Sequence, residues 1–324
     1  MKILIVGGAG YVGCSLAEYL INLKHEITVI DLMIYGNNLP KHKNLKIIKG
    51  DIRNIELLEY SIKDFDVVIH LACISNDPSF DLDPKLGKSI NLDCFEPLVK
   101  ICKKNGVKRF IYASSSSVYG IKEEKDVNEN SLLEPLTDYS KFKVECEKIL
   151  LSHASKDFNC LIVRPATVCG YSVRQRLDVV VNILTNLAYH KKEITVLGGS
   201  QLRPNIHIKD MVRVYEHLIN TDINKHNGEI FNAGYENLSV MKIANTVKEV
   251  IGNDIKIKIE KSNDNRSYHI SSKKIKKTLN YENNFTIRDA VLDLKNAFDK
   301  GLLKNTLTNE MYFNIKRMNN IKLN

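Results

Sequence analysis

The chain opens on an apolar, β-branched run, Ile3-Leu4-Ile5-Val6, that passes directly into Gly7-Gly8-Ala9-Gly10-Tyr11-Val12-Gly13. This junction constrains the fold more tightly than any other stretch. A short buried strand must end where glycines permit a tight turn, and residues 14–23 then carry helical apolar spacing. The glycines satisfy G-x-G-x-x-G through Gly8, Gly10 and Gly13, and G-x-x-G-x-x-G through Gly7, Gly10 and Gly13. Lacking side chains, they let the backbone approach a pyrophosphate whose charge sits at the helix N-terminus. Asp31 closes a second apolar run about 20 residues further on, where an acid binds a ribose 2′-hydroxyl and repels a 2′-phosphate. The pattern predicts a dinucleotide site that favours NAD over NADP. Asp51, in Gly50-Asp51-Ile52-Arg53, either bonds the adenine amino group or serves as a helix N-cap acid.

The glycine turn begins a longer alternation. Runs at 3–6, 27–30, 45–48, 67–70, 109–113 and 161–163 read as strands, and 14–23, 90–104 and 139–153 as helices. Strands alternating with helices imply right-handed crossovers and a parallel sheet covered on both faces, a doubly wound Rossmann α/β fold. Ligands in such folds bind beyond the carboxyl ends of the strands. After residue 170 the rhythm changes. A helix at 179–189, a short strand at 195–197, a helix leading from His207-Ile208-Lys209-Asp210 to Asn220, and elements at 241–251, 255–259 and 287–298 suggest a smaller α+β lobe. Ile230-Phe231-Asn232 reads as a strand returning to the main sheet. The expected division is residues 1–170, with a return near 205–235, for the dinucleotide, and 171–204 with 236–324 for the substrate. The tail after Gly301 is polar and weakly patterned, either partly disordered or docked as a helix.

Composition narrows the function. The net charge is +9, but Lys and Arg are scattered. The densest cluster, Lys273-Lys274-Ile275-Lys276-Lys277, suits one face of a short helix. No basic stripe with interleaved aromatics or nucleic-acid module occurs, so a small anion such as a nucleotide is expected rather than nucleic acid. Seven cysteines at irregular spacing, with no C-x-x-C pair, indicate neither a disulfide framework nor a metal site. No run approaches the length of a membrane span and no signal segment precedes the first strand, so a cytoplasmic, membrane-free protein is expected.

Tyr139 and Lys143 stand four apart in Tyr139-Ser140-Lys141-Phe142-Lys143, on one face of a predicted helix. A cation beside a phenol favours the phenolate, turning a weak base into one able to take a proton from an alcohol. The serine run Ser114-Ser115-Ser116-Ser117 offers a hydroxyl to the same oxygen.

Together these motifs resemble the extended short-chain dehydrogenase/reductase family, the nucleotide-sugar epimerases and dehydratases of the UDP-glucose 4-epimerase type. The resemblance rests on the glycine loop, Asp31, Gly50-Asp51, His70-Leu71-Ala72, Asn91, Ser114-Ser115-Ser116-Ser117-Val118-Tyr119-Gly120, Tyr139-x-x-x-Lys143, Arg164-Pro165 and Arg203 through His207-Ile208-Lys209-Asp210. It implies Ser115, Tyr139 and Lys143 as the catalytic residues. The cofactor contacts would be Gly7, Gly10, Tyr11, Val12, Gly13, Asp31, Asp51, Ile52, Leu71, Ala72, Tyr139 and Lys143. Ser75, Asn76, Ser116, Thr167, Arg174, Arg176, Arg203 and Arg266 are the expected contacts to a nucleoside-diphosphate sugar, although surface solvation of the 174–178 segment is an equal reading. Asn91 is expected to steady the strand end that carries the serine, His207 to be positional, and Cys73 and Cys169 to be buried thiols. Sugar 4,6-dehydratases carry Asp-Glu directly after the catalytic hydroxyl residue; Ser116 and Ser117 stand there, which disfavours dehydration. The expected activity is NAD-dependent oxidation of a sugar hydroxyl, most simply at C4, in a 4-epimerase. The alternatives are a net 4-dehydrogenase, a 4-keto reductase, or an NAD-sensing regulatory protein. A homodimer through the helices at 90–104 and 139–153 is also implied.

Overall fold

A computed structural model of the chain describes residues 1–75, 77–124, 126–261 and 267–321. Of the expected contacts, Asn76 and Arg266 lie outside the described residues. The strands are β1 (Lys2–Val6), β2 (Glu26–Asp31), β3 (Leu45–Lys49), β4 (Val67–His70), β5 (Arg109–Ala113), β6 (Asn159–Pro165), β7 (Thr167–Cys169), β8 (Glu193–Leu197), β9 (Leu202–His207), β10 (Glu229–Ala233), β11 (Glu236–Ser239) and β12 (Lys256–Glu260). Seven of them make one all-parallel sheet in the order β3-β2-β1-β4-β5-β6-β10.

The alternation of side chains along each strand feeds two cores. Ile3 and Ile5 of β1 enter the cluster that holds Leu16, Leu20, Val214 and Leu218, beneath helices Tyr11–Asn22 and Ile208–Asn220. Leu4 and Val6 enter the opposite cluster with Phe95, Leu98, Cys146 and Leu150, beneath helices Phe95–Lys104 and Asp138–His153. A strand buried on both faces needs an unbroken apolar run, and 3–6 supplies one. Because β1 pairs with both β2 and β4, the winding reverses there, opening a crevice at the carboxyl ends.

Ile230-Phe231-Asn232 returns as expected, with β10 parallel to β6. Beyond the sheet, β11-β9-β7 and β12-β8 form two small sheets, and helices Val180–Lys191, Val240–Ile251 and Ile287–Asp299 pack over a third apolar cluster. The tail docks, with a helix at Asn314–Asn320. The helix expected over 90–104 is divided into a π-turn at Ser89–Asp93 and helix Phe95–Lys104. Pro97 is the reason: it has no N–H to give the carbonyl four residues back, so a regular helix cannot run through.

One buried polar chain crosses these layers. Arg164 of β6 grips Glu147 of helix Asp138–His153 with two bonds, Nε to Oε1 at 2.9 Å and Nη2 to Oε2 at 2.6 Å. Both side chains are 3% exposed. Arg164 Nη1 also donates to the Tyr119 hydroxyl at 2.9 Å, which donates to Asn232 Oδ1 of β10 at 2.7 Å. The Ser114 hydroxyl donates to Glu147 from the end of β5. Removing one partner of a buried pair strands the other charge, at a cost of about 3–5 kcal/mol. Glu147→Leu is therefore expected to lose about that much stability in urea unfolding, while Glu147→Leu with Arg164→Met recovers most of it.

Candidate active site

A cavity of about 500 Å³ opens where the sheet reverses, lined from the carboxyl ends of β1, β2, β4, β5 and β6. The glycine loop forms its floor. Gly7 sits at φ +83°, its N–H donating to the Ile30 carbonyl at 2.8 Å, and a Cβ there would run into the backbone of Ala72. A Cβ on Gly13 would collide with the Gly8 backbone, so helix and strand meet at closest approach. Gly10, the N-cap of helix Tyr11–Asn22, has only the Gly7 carbonyl oxygen near where a Cβ would stand, and no side chain caps the helix. The first-turn N–H groups have no intrahelical acceptor, and they are available to an anion.

Asp31 ends β2 in the cavity wall. Its Oδ2 accepts from the Ala9 N–H at 2.9 Å and its Oδ1 from the Met33 N–H at 2.7 Å. Burial pushes its carboxyl above the usual range, and the two backbone donors offset part of that. Ile52, Leu71, Ala72 and Val12 line the cavity as well. Asp51 is turned away: it makes a bidentate pair with Arg53, Oδ2 to Nη2 at 2.6 Å, while its neighbours Gly50 and Ile52 line the cavity. The Tyr11 hydroxyl donates to the Gly170 carbonyl at 2.6 Å and ties the loop to the turn after β7.

The three expected catalytic residues converge on the same space. Ser115 follows β5, and its Oγ lies 2.8 Å from Ser117 Oγ. Tyr139 begins helix Asp138–His153, whose start is held by a capping box between Thr137 and Ser140. One turn later Lys143 is 5% exposed; its Nζ donates to the Ala113 carbonyl at 2.7 Å and lies 5.7 Å from the Tyr139 ring centre. Strand end and helix start thus present hydroxyl, phenol and ammonium together.

Ser75, Ser116, Thr167, Arg174, Arg176 and Arg203 also line the cavity. The surface-solvation reading of the 174–178 segment is overturned, because Arg174 is 4% exposed and Arg176 is half-buried in the wall. Arg176 pairs with Asp178 at 2.6 Å and donates to Ser75 Oγ at 3.2 Å; Arg174 stacks on Tyr35, 3.8 Å from its ring centre. Asn91 departs from expectation: its side chain accepts from the Ile74 N–H at 2.8 Å and donates to the Ile74 carbonyl at 3.0 Å, so it fixes the loop after β4 rather than the serine strand. His207 caps helix Ile208–Asn220 through Nδ1. Tyr35, Asp178 and Asn314 line the cavity without having been expected there. Asn314 comes from a tail whose polar composition carries no site signal.

Cys169 is fully buried and donates to the Ile206 carbonyl, whereas Cys73 is half-buried and lines the cavity. Burial raises the other six thiols, those of Cys14, Cys94, Cys146 and Cys160 to about 12. Among the described residues no cluster suits a metal ion, and no helix is long and apolar enough to cross a membrane.

The model of the NAD dependent epimerase/dehydratase family matches residues 3–234. A dTDP-D-glucose 4,6-dehydratase of Dictyostelium discoideum is 31% identical over 74% of this chain and 61% of its own length. An uncharacterized UDP-glucose epimerase of Bacillus subtilis is 31% identical over 78% of this chain and 83% of its own. Among solved structures, a UDP-glucose 4-epimerase of Thermotoga maritima with UDP-glucose superposes at TM-score 0.85 over 94% of this chain and all of its own, at 23% identity. A UDP-glucuronic acid 4-epimerase of Bacillus cereus in complex with UDP-glucuronic acid and NAD superposes at TM-score 0.82, 27% identical, over 93% of this chain and 99% of its own.

The thiols give a direct check on the cavity. Native protein treated with a maleimide at pH 7 is expected to label Cys73 first, with the other six reacting only on unfolding, and bound NAD is expected to slow that labelling.

Proposed function

The chain belongs to the NAD dependent epimerase/dehydratase family, and from that premise we propose that it oxidises the C4 hydroxyl of a nucleoside-diphosphate sugar and restores the carbon with inverted configuration, as a 4-epimerase. The observation that carries the reading is the convergence of Ser115, Tyr139 and Lys143 on the cavity floored by the glycine loop. The residues fit NAD: open helix N–H groups face a diphosphate, and the Asp31 carboxylate stands where a ribose hydroxyl donates. When bound, NAD supplies the acceptor for the hydrogen on the sugar carbon.

The chain's own part is to position and to move a proton. Tyr139, as phenolate, takes the proton from the sugar hydroxyl while Ser115 donates to the same oxygen, and the Lys143 ammonium lowers the cost of the phenolate charge. Arg203 reaches the cavity from β9 with Tyr268 beneath its guanidinium, 5.4 Å from ring centre to Cζ, and suits a substrate phosphate. Thr167 and Ser75 offer hydroxyls to the sugar.

Dehydration requires an acid and a base beside the catalytic hydroxyl. Ser116 is buried and Ser117 is engaged with Ser115. The only carboxylates among the described lining residues are Asp31, which accepts two backbone bonds, and Asp178, which is paired with Arg176. This chemistry supports epimerisation over elimination. A sensor with no turnover would need neither Tyr139 nor Lys143 in the cavity.

Tyr139→Phe is expected to lower turnover by about 10²–10⁴-fold while NAD stays bound, because the phenol acts on the proton and the loop holds the dinucleotide. Activity unchanged in that variant would remove the assignment. A panel of nucleotide sugars with and without 2-oxoglutarate reads the second half-reaction: isomer formed without the keto acid marks an epimerase, and turnover that requires it marks a net dehydrogenase.

A further inference from the structure

Arg174 is a buried cation that the catalytic scheme leaves idle. It is 4% exposed, makes no ion pair among the described residues, and its Nε has no hydrogen-bond partner there. Arg176, two residues on, is by contrast neutralised by Asp178. Burial pulls the Arg174 guanidinium down to about 10, with the neighbouring Arg176 charge adding to the effect and Tyr35 and Asp178 offsetting only part of it. Taking such a group from water without a partner is costly, so an anion belongs beside it.

The surroundings indicate which anion. The Arg174 charge acts on Tyr11, Cys14 and Asp31, in the first helix and at the end of β2, and on Tyr35 in the loop that follows. The Arg176 charge is felt at Tyr11 and Tyr35 too, but it also reaches Tyr139, on the reacting side. Arg174, stacked on Tyr35 just beyond the Asp31 end of β2, therefore stands on the glycine-loop side of the cavity.

A second observation explains how it is held. Asn314 is 3% exposed, and its Oδ1 accepts from Arg174 Nη2 at 2.9 Å. Its Nδ2 donates to Ser75 Oγ at 2.9 Å, and its backbone N–H donates to Asp178 Oδ2 at 2.8 Å. One amide joins the loop after β4, the 174–178 segment and the tail. The tail is moored on either side, by the Leu177 N–H on the Tyr312 carbonyl at 2.8 Å and by Arg317 Nε on the Ile34 carbonyl at 2.8 Å.

We infer that Arg174 binds the diphosphate of the dinucleotide, and that Asn314 is a positioning residue that aims it, making the tail part of the cofactor site. The inference rests on the cavity being the NAD site. A fork on one side and helix N–H groups on the other enclose the diphosphate between two lobes, which suits a cofactor that is retained between turnovers.

The test uses the full chain freed of bound nucleotide, titrated with NAD alone by calorimetry. Arg174→Gln and Asn314→Leu are each expected to weaken NAD about tenfold or more, the scale of a lost charged hydrogen bond. The double variant is expected to bind no more weakly than the weaker single one, because both substitutions remove one contact. Asn314→Asp keeps the acceptor for Arg174 but cancels its charge; it is expected to hold the wild-type melting temperature and still lose NAD affinity. A merely structural asparagine would leave NAD affinity intact in that variant. Unchanged affinity in Arg174→Gln, or losses that multiply in the double variant, overturns the inference. Wild-type chain that binds NAD but turns over no sugar sinks the proposed reaction alone, and wild-type chain that binds no NAD sinks both.

Discussion

The pair between Arg164 and Glu147 joins the parts of this molecule that its chemistry requires to be adjacent. The arginine lies on β6 and the glutamate two turns past Tyr139 on helix Asp138–His153. Through Ser114 and Tyr119 the same pair reaches both sides of Ser115. In the proposed reaction a hydroxyl and a phenol share one substrate oxygen, and they cannot drift by an ångström without loss. A buried, two-bonded pair enforces that registry directionally, as apolar packing cannot. Each guanidinium face has a partner, and the last link, Asn232, lies on β10. The edge strand is thus wired to the same network as the end of β5 that carries Ser115.

The cavity shows a division between what adjacent residues and distant residues contribute. The glycine loop, Asp31 and the Tyr139–Lys143 spacing are legible from the chain because each acts over a single turn or strand end, where local geometry decides the outcome. The β10 return is legible for a similar reason, as a short apolar run with strand character. The 90–104 helix misleads because periodicity counts apolar positions and overlooks the missing N–H of Pro97. Asn91 misleads differently: its type and position are as expected, but the loop it binds lies 17 residues earlier in the chain.

Arg174 is legible only as a substrate contact or a solvated side chain, and Asn314 not at all, for a deeper reason. A loop arginine reads equally well as solvated, and a tail of Asn and Lys reads as bland. Their burial depends on three segments, 32–38, 174–178 and 310–317, meeting over the cavity, and no pattern in any one of them encodes the meeting. The same holds for Tyr35, whose ring becomes a platform only because a guanidinium arrives from far along the chain. Fold-level signals are local and repeated, whereas the walls of a pocket are assembled once.

The return of β10 to the sheet also fixes an order of assembly. Strand β6 ends at Pro165, but its outer neighbour begins at Glu229, after β7, β8, β9 and two helices have been made. Until then β6 presents a row of unpaired backbone groups along an apolar strand, which is a template for pairing with another chain. During synthesis the nucleotide-binding half therefore waits, sticky along one edge, for a short piece of the second half to close it.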